Sequence, residues 1–471
     1  MALSQRRSVR RLCCVATLAE YARNTQNDGI EVEVLKQREV KGKMHYLITV
    51  GSAFIGAHLV EAVLGAIDPW FGAIISGCLC TLLCLLGVYL FLPRTHARSL
   101  SDLDVAKLLG RDVVPLEADE AHIVLKGQVV LVTGAAGSIG SELCRQLLSY
   151  EPASVIALDN NETGLFDLVE SLRPHEHSAS LCLYIGDIRD VQSMERLFAS
   201  EQPQIVFHAA AYKHVPLLER HLEEAVRNNA LATFHLCCLA QAYKVDRFVF
   251  VSTDKAADPT NILGATKRLG EIVVRSLAKS ADCTTRFCAV RFGNVIGSRG
   301  SVVPVFDRQI ERGGPVTVTD RAAMRYFMTI PEACGLVILT ATLADQGALY
   351  VLDMGKPVRI VDLAIKMIRL YGLREGRDIA IVFTGLRPGE RLLETLVAVG
   401  EELVPTTNSK IFGVKHGYDV PMLPQLTQWM LRLEEDLQSE ESEQLRERLF
   451  ELVQVHELIT TSNKEEMGAN A

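Results

Sequence analysis

QVVLVTGAAGSIGSELCRQLL, residues 128–148, joins a strand pattern to a helix pattern through three glycines. Val129 to Val132 form a short apolar run of the kind that builds a buried strand, and Gly134, Gly137 and Gly140 follow it at once. Ser141 to Leu148 then reads as helix. Gly134 permits a tight turn out of the strand, Gly137 lets backbone approach a ligand, and Gly140 lets helix and turn pack closely. A helix starting here points its free N–H groups, those of Ser138 and Ile139 among them, at an anion. A bare glycine triplet is a weak signal; one set between strand and helix marks a dinucleotide pyrophosphate site.

Outward from this turn the alternation repeats. Short runs at 154–159 (SVIALD), 181–186 (LCLYIG), 204–209 (QIVFHA), 247–253 (RFVFVST) and 285–292 (TRFCAVRF) are separated by helical stretches. The pattern predicts a doubly wound parallel sheet covered on both faces, an α/β fold of the Rossmann kind with ligands at the carboxyl ends of its strands. Asp159 closes the second run, where a carboxylate accepts from ribose hydroxyls and repels a 2′-phosphate. Its neighbours Asn160, Asn161 and Glu162 offer no cation, so NAD is expected rather than NADP. Asp187 and Ile188 follow the third run; Asp187 is placed to meet the adenine, and a helix cap would look the same. Ala209 and Ala210, after the fourth run, are small enough for the cofactor to lie across them. Beyond Asn294 the pattern is less regular and richer in Gly and Pro, as expected of a smaller C-terminal substrate lobe.

Several strings are more distinctive: TGAAGSIGSEL (133–143), HAAAYKHVPLLE (208–219), STDKAADPTNILGATKR (252–268), RFGNVIGSRGSVVPVF (291–306), MRYFMTIPEA (324–333) and GLRPGE (385–390). Together they resemble the extended short-chain dehydrogenase/reductase superfamily and, within it, the membrane-anchored CapD-like polysaccharide biosynthesis proteins, the UDP-N-acetylglucosamine 4,6-dehydratases. The resemblance covers about residues 108–394. It implies an NAD-dependent lyase that gives a 4-keto-6-deoxy sugar nucleotide for surface glycans. By the family's motif Lys255 is the base at sugar carbon 5, Asp254 the acid for the leaving hydroxyl, Thr253 their aid at the sugar, and Lys267 the ligand of the nicotinamide ribose. Asn294, Arg325, Arg387 and Glu390 resemble the family's contacts to the UDP moiety, and Lys213 and His214 are candidates to face the sugar.

Two departures from the pattern matter. The superfamily places a tyrosine four residues before its helix lysine; this chain has Leu263 before Lys267. Four residues apart on a helix share a face, so Leu263 is expected in the cleft, where it cannot carry a proton. Longer members of the branch also have an additional nucleotide-binding-like domain, for which residues 94–126 leave no room. Two alternatives stay open: a dehydratase that also inverts carbon 5, and a non-catalytic membrane-bound NAD or nucleotide-sugar binding protein.

Composition narrows the rest. With 48% hydrophobic residues the chain can build more than one core, which excludes disorder as its main state. Its 49 basic and 57 acidic residues give a net charge of −8, which argues against a nucleic-acid partner. None of the twelve cysteines shows zinc spacing, so they read as small buried apolar residues in a reducing compartment, with no metal. Mean hydropathy is +0.17 because of one region. Trp70 to Leu92 carries no charge and as a helix spans roughly 35 Å, enough to cross a bilayer. Tyr46 to Ile67 reads as a partner span despite His58 and Glu61, with Asp68-Pro69 as the turn between them. Basic residues flank both ends of this hairpin, which places both on the cytoplasmic side of the inner membrane. The expected organisation is a cytoplasmic N-terminal segment (1–45), a transmembrane hairpin (46–93), a connector (94–126), an NAD-binding Rossmann domain (127–293), a substrate-binding lobe with some segments returning to the sheet (294–420) and an amphipathic helical tail (421–471). A homo-oligomer is expected.

Overall fold

The computed structural model describes residues 119–175, 177–417, 419–438 and 442–454. The N-terminal segment and the apolar hairpin expected at 1–93 lie outside the described residues. Among the described residues no helix is long and apolar enough to cross a membrane.

Six parallel strands form the centre: β1 (Val129–Thr133), β2 (Ser154–Asp159), β3 (Leu181–Ile185), β4 (Ile205–His208), β5 (Arg247–Val251) and β6 (Arg286–Arg291). Their order is β3-β2-β1-β4-β5-β6, the doubly wound order the alternation predicts. Three later strands extend the sheet to nine. Ala348–Leu352 runs parallel to β6, Ile411–His416 antiparallel to that, and Glu401–Pro405 antiparallel at the edge. In the register, Thr133 lies opposite both Leu158 and His208, so β1, β2 and β4 end at one level. The winding direction reverses between β1 and β4, and a crevice opens there.

Each face of the sheet is covered by helices whose apolar stripes come from the sequence period. On one face lie Ala232–Ala242, Ile262–Ala278 and Leu423–Asp436, packed around Phe248, Phe250 and Phe287. All three phenylalanines are fully buried, and each such burial is worth roughly 1.5–3 kcal/mol. On the other face lie Ser138–Leu148 and Ile330–Leu343, with Leu143, Leu147 and Leu336 to Leu339 against Val130, Val132 and Phe207. Helix starts are set by side chains that accept from backbone: Asn161 from Gly164, Asp190 from Ser193, and Asn261 from Gly264.

Three expectations need correction. Residues 119–125 are not part of a polar connector: Asp119–Leu125 is a helix whose Ala121 and Leu125 are fully buried in the second core. The sheet is not covered throughout, because β3 is an edge strand, and Leu183 and Ile185 are 44% and 63% exposed. Cys182 on that strand is exposed too, unlike Cys144, Cys237, Cys288 and Cys334. The tail helix, amphipathic in sequence, does pack on the body, through Leu426, Trp429, Met430 and Leu433, which fall on one face.

Residues 294–400 build a separate small core from Val303, Phe306, Ile310, Leu363, Met367 and Ile368. A fully buried ion cluster ties the sheet's far end together. Arg291 on β6 binds Glu271 of the helix Ile262–Ala278 and Glu401 of the edge strand, both at 2.6 Å. Ser252, just after β5, donates to Glu271 at 2.6 Å, so the same cluster braces the strand end that carries the chemistry.

Candidate active site

The crevice at the end of β1 is lined by Gly134, Gly137, Asp159, Asp187, Ile188, Ala209 and Ala210, all expected there from the sequence. Gly134 has φ +71°, a left-handed conformation, and a Cβ on it would lie 2.7 Å from the Ala210 backbone. A Cβ on Gly140 would lie 2.1 Å from the Gly134 carbonyl oxygen, so only glycine lets the helix start so close to the turn. Asp159 holds the turn from the side: its Oδ2 accepts from the Ala136 N–H and its Oδ1 from Asn161, both at 2.9 Å. A carboxylate fixed in this way, with lone pairs to spare, suits an adenosine ribose. Asp187 is not a helix cap, since Asp190 fills that position. Its carboxylate pairs with Arg189 at 2.6 Å, and that guanidinium holds it below the usual carboxylate range.

The crevice also contains residues the motif reading missed. Tyr212 and Asn228 line it. Asn228 and Asn229 sit in a π-helical turn, Val226–Leu231, and the Asn229 amide clasps both the N–H and the carbonyl of Tyr212 at 2.9 Å. Two adjacent asparagines inside an apolar helical run were the available signal, since such a turn often marks a functional site. Arg299 is a second omission. Its guanidinium donates to the Ala136 carbonyl at 2.9 Å and its N–H to Ser138 Oγ at 3.0 Å, laying the 297–300 loop on the glycine turn.

His208 is enclosed beneath the crevice. Thr233 donates to the Asn229 carbonyl at 2.8 Å, so it accepts from His208 Nε2 at 2.9 Å, and Nδ1 is left to accept from Thr133 Oγ1 at 2.7 Å. This neutral tautomer agrees with burial, which pushes the imidazole down to about 3. Lys267 is 5% exposed, donates to the Val251 carbonyl at 2.8 Å and lies 4.5 Å from the Phe250 ring centre. Burial lowers its ammonium to about 7. Leu263 is 6% exposed and packs among the apolar residues of the first core.

The end of β5 gathers Thr253, Asp254 and Lys255 into one short turn. Asp254 is fully buried, and its Oδ1 accepts from Thr253 Oγ1 and Lys255 Nζ, each at 2.9 Å. Its Oδ2 is buried with no hydrogen-bond partner among the described residues. Gly293 leaves room there: a Cβ on it would come within 3.2 Å of that oxygen. An acid-base pair is thus held rigidly at a strand's carboxyl end, with one carboxylate oxygen uncommitted.

The expected substrate residues come partly together. Arg325 pairs with Glu390 at 3.0 Å and donates to the carbonyls of Met324 and Leu392. Glu390 also accepts from Thr319 Oγ1 and the Arg387 N–H, while the Arg387 side chain is exposed. Asn294 stands on a two-residue strand paired with Phe327–Met328, and its N–H donates to the carbonyl of Tyr326, the neighbour of Arg325, at 3.0 Å. His214 sits against Gly300, where a Cβ would meet its ring at 2.5 Å. Burial lowers both the His214 imidazole and the Lys213 ammonium. Glu394 was not anticipated, though it stands four residues after Glu390. It is 3% exposed, it makes no hydrogen bond or ion pair among the described residues, and Lys255, Asp254, Arg325 and Arg391 act on it electrostatically.

Comparison with known proteins agrees with this architecture. Residues 130–416 match the family described as polysaccharide biosynthesis protein. The probable polysaccharide biosynthesis protein EpsC of Bacillus subtilis is 42% identical over 79% of this chain and 61% of its own length. The capsular polysaccharide biosynthesis protein CapD of Staphylococcus aureus is 47% identical over 68% of this chain and 53% of its own. The chain therefore spans little more than half the length of these two relatives. Among solved structures, Pen from Bacillus thuringiensis is 33% identical with a TM-score of 0.57, covering 63% of this chain and 91% of Pen. DesIV, a dTDP-glucose 4,6-dehydratase of Streptomyces venezuelae solved with NAD bound, has a TM-score of 0.50 over 57% of this chain and 88% of its own; at 24% identity the likeness is one of fold.

Proposed function

The chain belongs to the polysaccharide biosynthesis protein family, and from that membership we propose that it is an NAD-dependent nucleotide-sugar-modifying enzyme, a 4,6-dehydratase acting on UDP-N-acetylglucosamine. The Asp254–Lys255 pair carries this reading. A shift of one proton along its 2.9 Å hydrogen bond turns carboxylate and ammonium into carboxylic acid and amine, the acid and the base that elimination of water needs. Lys255 takes the proton from sugar carbon 5, and Asp254 protonates the hydroxyl leaving carbon 6. Thr253, hydrogen-bonded to Asp254, fixes the carboxylate's plane. Arg387 supplies an exposed guanidinium for the diphosphate, with Glu390 and Arg325 holding its backbone in place.

The cofactor is NAD. The helix start at Ser138 and Ile139 and the glycines 134, 137 and 140 fit its pyrophosphate, and Asp159 fits its ribose while disfavouring the extra phosphate of NADP. When bound, NAD accepts the hydride of carbon 4 and returns one to carbon 6, so turnover leaves no net NADH. The apolar residues 46–92 and their basic flanks support a catalytic body held at the cytoplasmic face of the inner membrane.

Detergent-solubilised full chain incubated with NAD and UDP-N-acetylglucosamine tests the reading by mass spectrometry and NMR. A product lighter by one water with a keto group at carbon 4 is expected. A product of unchanged mass inverted at carbon 4 would make the protein an epimerase, accumulating NADH would make it an ordinary dehydrogenase, and binding with no conversion would make it a binding protein.

A further inference from the structure

On the dehydratase reading of this site, we propose that Glu394 is its third proton-holding group: acting through the Asp254–Lys255 pair, it stores the proton of the carbon 4 hydroxyl and returns it at the end of the cycle. The proton count calls for such a group. Oxidation at carbon 4 breaks an O–H bond as well as a C–H bond, and the hydroxyl proton must go to a base. Where the superfamily has a tyrosine, this chain has Leu263, a hydrocarbon enclosed in the core. The ion pair already holds one proton, on Lys255. A second would leave ammonium beside carboxylic acid, with no free base for carbon 5.

With Glu394 as the resting place, the count closes. The hydroxyl proton is passed to the Glu394 carboxylate, and the pair keeps one proton. That proton shifts from Lys255 to Asp254. The Lys255 amine takes the carbon 5 proton, Asp254 gives its own to the departing hydroxyl, and water leaves. The pair is again ammonium and carboxylate. When carbon 5 later takes a proton back from Lys255, Glu394 replaces it, and all three groups are as they began.

The surroundings of Glu394 suit this role. Its segment is pinned to both sides of the site: Met324 N–H donates to the Leu392 carbonyl at 2.7 Å, and Arg391 reaches the Asp258 carbonyl at 2.6 Å, four residues past Asp254. The neighbouring guanidiniums spend their hydrogen bonds elsewhere, Arg325 on Glu390 and Arg391 on Asp258, so the carboxylate has no fixed partner to hold it ionised. Burial, chiefly, and the charge of Asp254 push its carboxyl above the usual range, against the pull of Lys255, Arg325 and Arg391. A carboxylate so placed is a stronger base than one in water.

Two measurements on the full chain test it. In infrared titration, the difference between parent and Glu394→Gln should show a carboxylic acid persisting above the ordinary glutamate value of about 4.3; its absence overturns the proposal whether or not the protein turns over. In pH–rate profiles, the parent should lose turnover on the acid side as Glu394 becomes protonated. Glu394→Gln should fall by about a hundredfold or more and lose that limb, with NAD affinity within threefold of the parent. Glu394→Asp should keep the limb at a displaced midpoint, which a packing role would not produce, and it stands in if the glutamine variant fails to fold. A Glu394→Gln enzyme with the parent's rate and profile overturns the proposal while leaving the dehydratase reading intact. A parent that converts no UDP-sugar overturns the dehydratase reading, and the infrared titration still judges Glu394.

Discussion

Replacing Gly140 by alanine is the sharpest test of how the cofactor turn is built. The added Cβ would lie 2.1 Å from the Gly134 carbonyl oxygen and 2.7 Å from its carbon, against ordinary contact at 3.4 Å or more. Helix and turn must therefore separate by about 1.3 Å. Neither can give cheaply, because the turn is backbone held by Asp159 and the helix is packed through Leu143, Cys144 and Leu147. Overpacking of this kind costs roughly 1–3 kcal/mol of stability. The same displacement takes N–H groups at the helix start out of hydrogen-bond range of a phosphate, and each charge-assisted bond is worth about 1.5–3 kcal/mol. Losing one or two implies NAD binding weaker by about 10–10⁴-fold. Gly137→Ala is the graded control: its Cβ would meet the same oxygen at 3.1 Å, which a shift of a few tenths of an ångström relieves. Calorimetric titration with NAD and denaturant unfolding of both variants provide the measurement. A Gly140→Ala protein with parental stability and affinity, or a Gly137→Ala protein damaged more than Gly140→Ala, would refute the reasoning.

Asp254→Asn and Lys255→Ala should each lower turnover by about a hundredfold or more while NAD affinity stays near the parent's, since each removes a proton carrier outside the cofactor cleft; rates and calorimetry read the two effects separately. Leu263→Met keeps volume and apolarity in an enclosed position, so turnover should stay within a few-fold and stability within about 1.5 kcal/mol in urea unfolding. The depressed His208 pKa, about 3 in the fold against 6.5 ordinarily, means the unfolded chain binds the proton more readily. Its contribution is present above pH 6.5 and is lost as pH falls toward 3, at about 1.4 kcal/mol per pH unit. Subtracting the unfolding free energies of His208→Gln from those of the parent across pH 4.5–7.5 should expose that slope, and a flat difference would contradict the buried neutral imidazole.

The strands, their parallel order and the cofactor turn were legible in the sequence because each rests on local chemistry. Continuous Val, Leu and Ile runs bounded by helix signals leave one favourable packing, and a glycine at 134, 137 or 140 announces a backbone constraint that no neighbour can hide. The Thr253-Asp254-Lys255 turn was legible for the same reason, as a polar string ending an apolar strand. What the sequence left open depends on distance along the chain. Asp187 could be a cap or a ligand contact until Asp190 took the cap. Leu263 and Lys267 share a helix face, yet how deeply that face is buried is decided by how Ile262–Ala278 docks on β5, and that docking leaves both almost fully enclosed. Residues 119–125 end a stretch of mixed charge in the sequence, with two inward positions that matter only once Ile330–Leu343 lies beside them. Glu394 lies 139 residues from Lys255 in sequence and becomes part of the site only when its segment pairs with Met324. A carboxylate's surroundings, and with them its proton affinity, are set by burial and by charges brought in from other elements, and these exist only in the folded chain.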